Sequence, residues 1–485
     1  MIQTKIPSQS TETAPSVAHS TQRFASTFAR KRVRLIETTY RNNLDSDYTE
    51  KIAALTQRFS YAENSQDYWS EHSHSLLYGT PLFAEASEAQ KLALNHLSWF
   101  ANYNYISNSE TETVLYNQVT AGVFESINGY QTLAKELLFE TEQEQEHIKA
   151  FRKVGLMTAT ALIGRGGLNS LLKWNTYRLT LGKQKLPTYQ YYMLRSIAKT
   201  MGAKTMGAKT MGAKTMSALG GRNAAPRRYS SYLKKLEGEN PFILKSPTVG
   251  MLGRSIGPSL PVQSFYGFNW GNGSPFMACQ FYTVRMIANL YLKNMEHAIA
   301  KYARRLENCD AYVPAPTAIS RYHFLDEAFH TTISRLLAKD LYQEFSAPNT
   351  YEKFVANSII AKMQKGTLGG LSAVLPHRYF ADDSTIFELL YQLLQSPVFG
   401  FSSADAQHWM WRCLCEEHEG LYVAAANRQR LLKELRGFFG EVGYLNAENR
   451  EMTAMAKQGS IFDAIAQNTR TFNEFFETSG RTFGS

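Results

Sequence analysis

Cysteine is scarce in this 485-residue chain, confined to Cys279, Cys309, Cys413 and Cys415. No disulfide framework is expected from so few, and a reducing cytoplasm is the expected compartment. Cys413 and Cys415 stand two apart, unlike the pairs of a zinc knuckle, and read as ordinary buried thiols. No apolar run approaches the roughly 18 residues that a membrane helix needs, so no membrane span is expected. No glycine-rich fingerprint for a flavin or a nicotinamide is present, so the chain brings no such redox cofactor of its own. The first 30 residues are rich in Ser, Thr and Gln, with Arg23, Arg30 and Arg32 nearby. Transit peptides share that composition. Glu12 and the lack of a clear amphipathic pattern favour a solvated tail instead.

Acidic residues are nearly missing from one internal stretch. From Gly164 to Arg254 there are 10 Lys and 7 Arg against only Glu237 and Glu239, a net of +15, while the whole chain is +10. The basic character therefore belongs to one segment and the remainder is acidic. Within it Thr-Met-Gly-Ala-Lys recurs from Thr200 to Met216. A period of five suits neither a strand nor a helix face, and the glycines weaken any helix. The segment reads as a low-complexity basic insertion, framed by Gly166, Gly167, Gly220, Gly221 and several prolines. Polyanion binding is the functional reading of such a patch, and a solvated loop is the plainer one; no nucleic-acid motif accompanies it.

What remains is globular and helical. Hydrophobic residues make up 44% and aromatics 13%, too many for a disordered chain. Four long stretches, Ala89 to Val123, Tyr130 to Leu156, Met277 to Leu306 and Ser320 to Phe345, carry apolar residues at spacings of three and four. Asn128-Gly129 breaks the first pair; Pro314 and Pro316 break the second. Residues from about Tyr351 to Phe483 also read as helical, with Trp409, Trp411, Phe438, Phe439 and Phe475 as candidate core. The expected organisation is a tail and lead-in over 1–60, half of a bundle over 61–163, the insertion over 164–262, the other half over 263–348, and a C-terminal helical region over 349–485.

The chemistry lies on the four long helices. Glu144-x-x-His147 puts a carboxylate and an imidazole on one helix face. His323-x-x-x-Glu327-x-x-His330 puts three donors on one stripe. Glu110 precedes Glu144 by 34 residues, and Glu296 precedes Glu327 by 31. If each turn falls near the midpoint, an antiparallel hairpin brings each pair level after about 25 Å of helix. One Glu from each of two helices and a Glu-x-x-His from each of the others is the ligand pattern of a ferritin-like di-iron bundle. Charge agrees: Glu110, Glu144, Glu296 and Glu327 bring four negative charges that two iron(II) ions would neutralise. The mixed carboxylate and imidazole set suits iron or manganese.

Glu-x-x-His alone is a weak signal. Glu71-x-x-His74 is a third copy, set in a polar stretch without an apolar stripe, and reads as surface or loop. Glu140, Glu142 and Glu146 read as the solvated face of the helix that carries Glu144. Asp326 reads as a flanking residue, and Glu112 is the rival to Glu110.

The order Glu, Glu-x-x-His, Glu, His-x-x-x-Glu-x-x-His resembles the AurF-type di-iron oxygenases, the p-aminobenzoate N-oxygenase family. His323 separates that pattern from plain ferritins. Trp99 and Tyr103-Asn104 precede Glu110 much as a Trp and a Tyr-Asn pair precede the family's first ligand, which favours Glu110 over Glu112. Asp326-Glu327-Ala328-Phe329-His330 is similar to its Asp-Glu-x-x-His. The likeness covers roughly Ser65 to Leu341, not the insertion or the C-terminal region. It implies a di-iron monooxygenase that activates O2 through a peroxo-di-iron species, with Glu110, Glu144, His147, Glu296, His323, Glu327 and His330 as ligands. It further implies N-oxygenation of an amine, or attack on a C–H bond, in specialised metabolism. Two electrons per turnover would come from a reductase or ferredoxin. The expected assembly is a homodimer, and a carrier protein bearing the substrate could dock on the basic segment. A ferritin-like metal or peroxide handler on the same bundle is the alternative.

Overall fold

The computed structural model describes residues 17–180, 274–367, 372–376, 384–453 and 460–483. The described residues are helical, and no strand occurs among them. The repeat from Thr200 to Met216 and most of the basic insertion lie outside the described residues. No helix among the described residues is long and apolar enough to cross a membrane.

Four long helices form the centre. Helix α3 spans Glu88–Phe124, α4 Gln131–Thr180, α5 Pro275–Asn308 and α6 Ala315–Lys339, after α1 (Val17–Asp45) and α2 (Thr49–Arg58). Local chemistry sets the ends. Ser87 caps α3 in a reciprocal box with Gln90. Ser274 caps α5, whose first residue is Pro275. Gly129, at φ 88°, turns the chain between α3 and α4, where Asn128-Gly129 predicts the break. Pro314 and Pro316 open α6. The antiparallel hairpins α3/α4 and α5/α6 thus form as the spacing predicts.

Helix α3 is buried on nearly all sides, which marks it as the central helix. Its polar residues Asn95, His96, Asn102 and Asn117 are therefore satisfied inside the protein. Helix α4 crosses α3 closely: a Cβ on Gly155 would stand 2.9 Å from the ring of Phe100, itself buried.

Three regions differ from the sequence reading. The lead-in is helical from Val17, and its Asn43 donates to buried Glu136 at 3.1 Å. Ile36 joins the core and Val33 packs against it, so apolar packing and the polar contact of Asn43 together hold the helix. Helix α4 bends at Gly164 (φ 68°) and then continues to Thr180, burying Leu168, Leu171 and Trp174. The first residues read as insertion are therefore core. The C-terminal helices are α7 (Thr350–Thr367), α8 (Ser384–Gln395), α9 (Ser403–Leu414), α10 (Glu419–Glu441) and α11 (Ile461–Phe483). They build no separate core. Phe438 and Phe439 join the core around α3 to α6, while Phe475 joins a second one with Leu94, Leu162 and Leu390. Trp409 is half-buried and Trp411 is 37% exposed, so neither forms the expected C-terminal core. Cys279, Cys413 and Cys415 are buried free thiols, and Cys309 is exposed.

Close approach of α3 and α4 at Gly155 sets the spacing on which the site depends. Gly155→Val forces Phe100 out of its place and is expected to cost about 1–3 kcal/mol. Denaturant unfolding at constant metal content measures it; an unchanged midpoint would contradict the close crossing.

A candidate metal centre between the four helices

Ligand atoms from Glu110, Glu144, His147, His323 and Glu327 lie within 4.8 Å of one another, and all five residues are buried. A second group joins Glu144 to Glu140 and His330 under the same limit. Glu144 belongs to both, as a bridging carboxylate would. Glu296 stands one step out: its Oε1 is 2.7 Å from His323 Nδ1 and accepts from the Tyr103 hydroxyl at 2.6 Å. The seven predicted residues therefore meet in one buried volume. Glu112 belongs to neither group, whereas Glu110 Oε1 lies 3.0 Å from His323 Nε2, so the geometry favours Glu110 over its rival.

Glu71 and His74 lie away from the centre. His74 occupies a short 3-10 turn, and Glu71 pairs with Arg305. Among the described residues neither joins a group of candidate ligands, and His74 is buried rather than on the surface, where burial holds its imidazole down near about 4.

The surroundings fix the donors. Asp326 Oδ2 lies 3.1 Å from His147 Nε2, and Asp326 Oδ1 accepts from the backbone N–H of Tyr48 at 3.3 Å. With Nε2–H donating to Asp326, Nδ1 of His147 is the atom left to face a metal ion, which would replace its proton. That Nδ1 stands 3.7 Å from Glu144 Oε2, and neither atom has a hydrogen-bond partner. Two donors on one ion stand roughly 3–4 Å apart when each bond is roughly 2.1 Å, so this separation fits a shared cation better than a hydrogen bond. His330 Nε2 lies 2.9 Å from Gln143 Oε1, and its Nδ1 is 2.7 Å from Glu327.

Sequence reasoning missed Arg285 and misplaced Glu140. Glu140 is fully buried, not on a solvated face. Its Oε1 pairs with Arg285 and accepts from Asn117 at 3.0 Å. Arg285 also holds Glu144 Oε1 at 2.7 Å. Burial would pull the guanidinium down, but Glu140 and Glu144 outweigh it and keep Arg285 charged. Glu142 is exposed and Glu146 partly so, as expected.

The residues fit a cation. Glu110 Oε2, Glu140 Oε2, Glu144 Oε2 and Glu296 Oε2 are buried oxygens with no hydrogen-bond partner, a costly state for a carboxylate without a charge beside it. Burial and the charge of Glu144 push the Glu110 carboxyl up to about 7. Burial and His323 pull His147 down, but Asp326 and Glu144 leave it raised to about 9. Burial lowers His330 too, and Glu140 with Glu327 raises it to about 10. Protons thus stand where a metal ion would.

Two cavities meet this cluster. The inner one, about 30 Å³, is lined by Glu110, Glu144, Glu327, Arg285, Asn289 and Thr113, among others. That is room for about one or two water-sized atoms. The outer one, about 380 Å³, is lined by Leu35, Phe324, Leu336, Lys293, Arg335 and neighbouring residues. Asn289 and Glu327 line both.

A family model described as "Acyl halogenase CylC-like" matches residues 31–476. The match runs across both hairpins, the basic insertion and the C-terminal helices. No curated protein and no solved structure was found to match. The AurF-type enzymes remain a resemblance in the ligand pattern.

Two outcomes follow from the proton-held donors. Glu110 is raised from 4.5 toward 7 and His147 from 6.5 toward 9, so both favour the metal-free fold in their protonated forms. That stability is full below their unfolded values and is lost as pH rises through their folded values. The thermal midpoint of the metal-free protein should therefore fall between about pH 4.5 and pH 9, while the gain on adding iron(II) or manganese(II) should grow over that interval. A gain that shrinks with rising pH would contradict these ligands. Asp326→Ala frees the His147 ring and should weaken metal binding by roughly 10–100-fold, measured by competition with a chelating dye.

Proposed function

Because the chain belongs to the CylC-like acyl halogenase family, we propose that it replaces a C–H bond of an acyl chain with a carbon–halogen bond. It would use O2 and two metal ions held by Glu110, Glu144, His147, Glu296, His323, Glu327 and His330. The cluster of five ligand atoms within 4.8 Å, with its unpartnered carboxylate oxygens, carries this reading. When bound, the ions supply O2 activation and the oxidising power. The ligand types favour iron, with manganese acceptable at one position. In balance, the C–H bond, one halide, one O2, two electrons and three protons become the carbon–halogen bond and two waters. The electrons come from an external reductase or ferredoxin.

The protein's own residues do the rest. Asp326 and Gln143 orient His147 and His330. Arg285 offsets part of the buried negative charge and fixes Glu144. The outer cavity falls in the size range of small-molecule sites, roughly 300–1,000 Å³. Leu35, Phe324 and Leu336 would line an acyl chain, and Asn289 stands where the chain would pass to the inner cavity. Lys293 and Arg335 are exposed on its lining and suit an acidic carrier protein that brings the acyl group as a thioester. The family's acyl substrate favours the C–H arm of the earlier expectation over N-oxygenation of an amine.

The test uses protein loaded anaerobically with iron(II). It is given O2, a ferredoxin-type reductant, chloride or bromide, and acyl thioesters on a carrier protein or on coenzyme A. Mass spectrometry should find the halogen isotope pattern in the acyl product, absent with Glu327→Ala and His330→Ala. Bound iron with only arylamine oxidation would overturn the halogenase reading in favour of N-oxygenation, and failure to bind iron would overturn the metal reading itself. Ala328 lines the outer cavity, so Ala328→Trp should abolish turnover while leaving bound metal unchanged.

A further inference from the structure

A line of redox-active rings leaves the candidate metal cluster at Glu296 and His323. Tyr103 begins it, with its hydroxyl on Glu296 and its ring centroid 6.4 Å from that of His323. Trp99 lies 4.4 Å from Tyr103 between centroids, and Trp69 lies 5.8 Å from Trp99. Tyr61 lies 6.1 Å from Trp69 and is half-buried at the outer end. The three inner rings, Tyr103, Trp99 and Trp69, are buried.

Beside the outer end sits a histidine with no role in the metal cluster. His96 is fully buried, stacks on Trp69 with centroids 4.2 Å apart, and places Nδ1 3.0 Å from the Tyr61 hydroxyl. Its Nε2 lies 2.9 Å from the carbonyl oxygen of Asp67. A carbonyl oxygen only accepts, so Nε2 carries the hydrogen, Nδ1 is a free acceptor, and Tyr61 donates to it. Burial holds this imidazole down near about 4, which keeps it neutral.

A phenol gives up an electron readily only when its proton has somewhere to go. Both tyrosines have such a base: Glu296 for Tyr103 and His96 for Tyr61. Ring packing alone needs neither the bases nor the indoles, and Phe59 and Phe151 pack in the same region without them.

We propose that Tyr103, Trp99, Trp69 and Tyr61 form a one-electron relay between the metal centre and the surface. This rests on the O2-activating reading of the centre. Tyr103 would pass an electron toward the ions when they are bound and oxidised, while its phenolic proton moves along the hydrogen bond to Glu296. Trp99 refills Tyr103, whose proton returns; Trp69 refills Trp99, and Tyr61 refills Trp69. At Tyr61 the proton moves to His96 Nδ1. A one-electron reductant of ferredoxin type then reduces the Tyr61 radical, and the proton returns. Each passage carries one electron from that reductant to the centre, and no covalent bond apart from the two O–H bonds opens.

The experiment is rapid freeze-quench electron paramagnetic resonance on iron(II)-loaded protein mixed with O2 without acyl substrate, with oxygen uptake followed in parallel. The parent should show a tyrosyl signal. Tyr61→Phe should replace it with an indolyl signal. Trp99→Phe should remove the signal from the outer rings and slow re-reduction of the oxidised centre by the ferredoxin-type donor. Oxygen uptake without any radical, or a signal and re-reduction rate unchanged in both variants, would overturn the relay alone. Absence of oxygen uptake would overturn the functional reading and the relay with it. Should Trp99→Phe fail to fold, Tyr61→Phe at its half-buried position decides the matter.

Discussion

Buried negative charge is the constraint on which the centre of this protein depends. Glu110, Glu136, Glu140, Glu144, Glu296, Asp326 and Glu327 are all buried within the four helices and their immediate support, and Arg285 is buried among them. Such a set is untenable in a low-dielectric interior unless cations or protons accompany it. Without metal the imidazoles take that part: His323 sits against Glu296 and Glu110, and His330 against Glu327. These contacts occupy the donor atoms a metal ion would need. Ion binding and proton release are then one event, and the helices need not move far for the exchange.

Helix α5 connects this charge problem to the substrate path. Arg285, Asn289 and Lys293 recur at intervals of four, so they form one stripe along the helix. Arg285 neutralises carboxylates at the deep end, Asn289 lines both cavities and donates to Thr331 at 3.2 Å, and Lys293 reaches the exposed end. Glu296, one turn further, leaves the stripe for His323 and Tyr103. A single helix thus carries a candidate ligand, a charge partner and part of the cavity wall. Displacing α5 would disturb all three together.

The ligand pattern was legible in the sequence because it is periodic. Offsets of three, four and seven fix a helix face, and matched hairpin arms bring those faces level. Glu140 shows where periodicity stops helping. It lies four before Glu144 on the same helix, and nothing in that spacing separates a solvated neighbour from a buried one. Arg285 decides it, and Arg285 arrives from a helix 145 positions later in the chain. Helix α1 was hard to read for a related reason: besides Val33 and Ile36, its grip on the bundle runs through Asn43, whose partners Glu136 and Gln143 lie about a hundred positions away. Trp411 failed in the opposite direction, since a large aromatic side chain suggests a core without requiring one.

The resemblance to N-oxygenases rests on the candidate metal ligands, whereas the match to the acyl halogenase family spans residues 31–476. Carboxylates and imidazoles on four helices can activate O2 for several outcomes, so the ligands cannot by themselves choose among a nitrogen, a hydroxyl or a halogen product. That choice belongs to what stands beside the activated centre. Here the adjoining inner cavity is small, and Arg285, Asn289 and Thr113 line it with potential donors beside the carboxylates. The larger outer cavity combines apolar walls with the charged side chains Lys293, Arg335, Glu327 and Asp340. A long apolar chain with a charged carrier matches that division better than a compact arylamine does, because only the former uses both halves of the cavity at once.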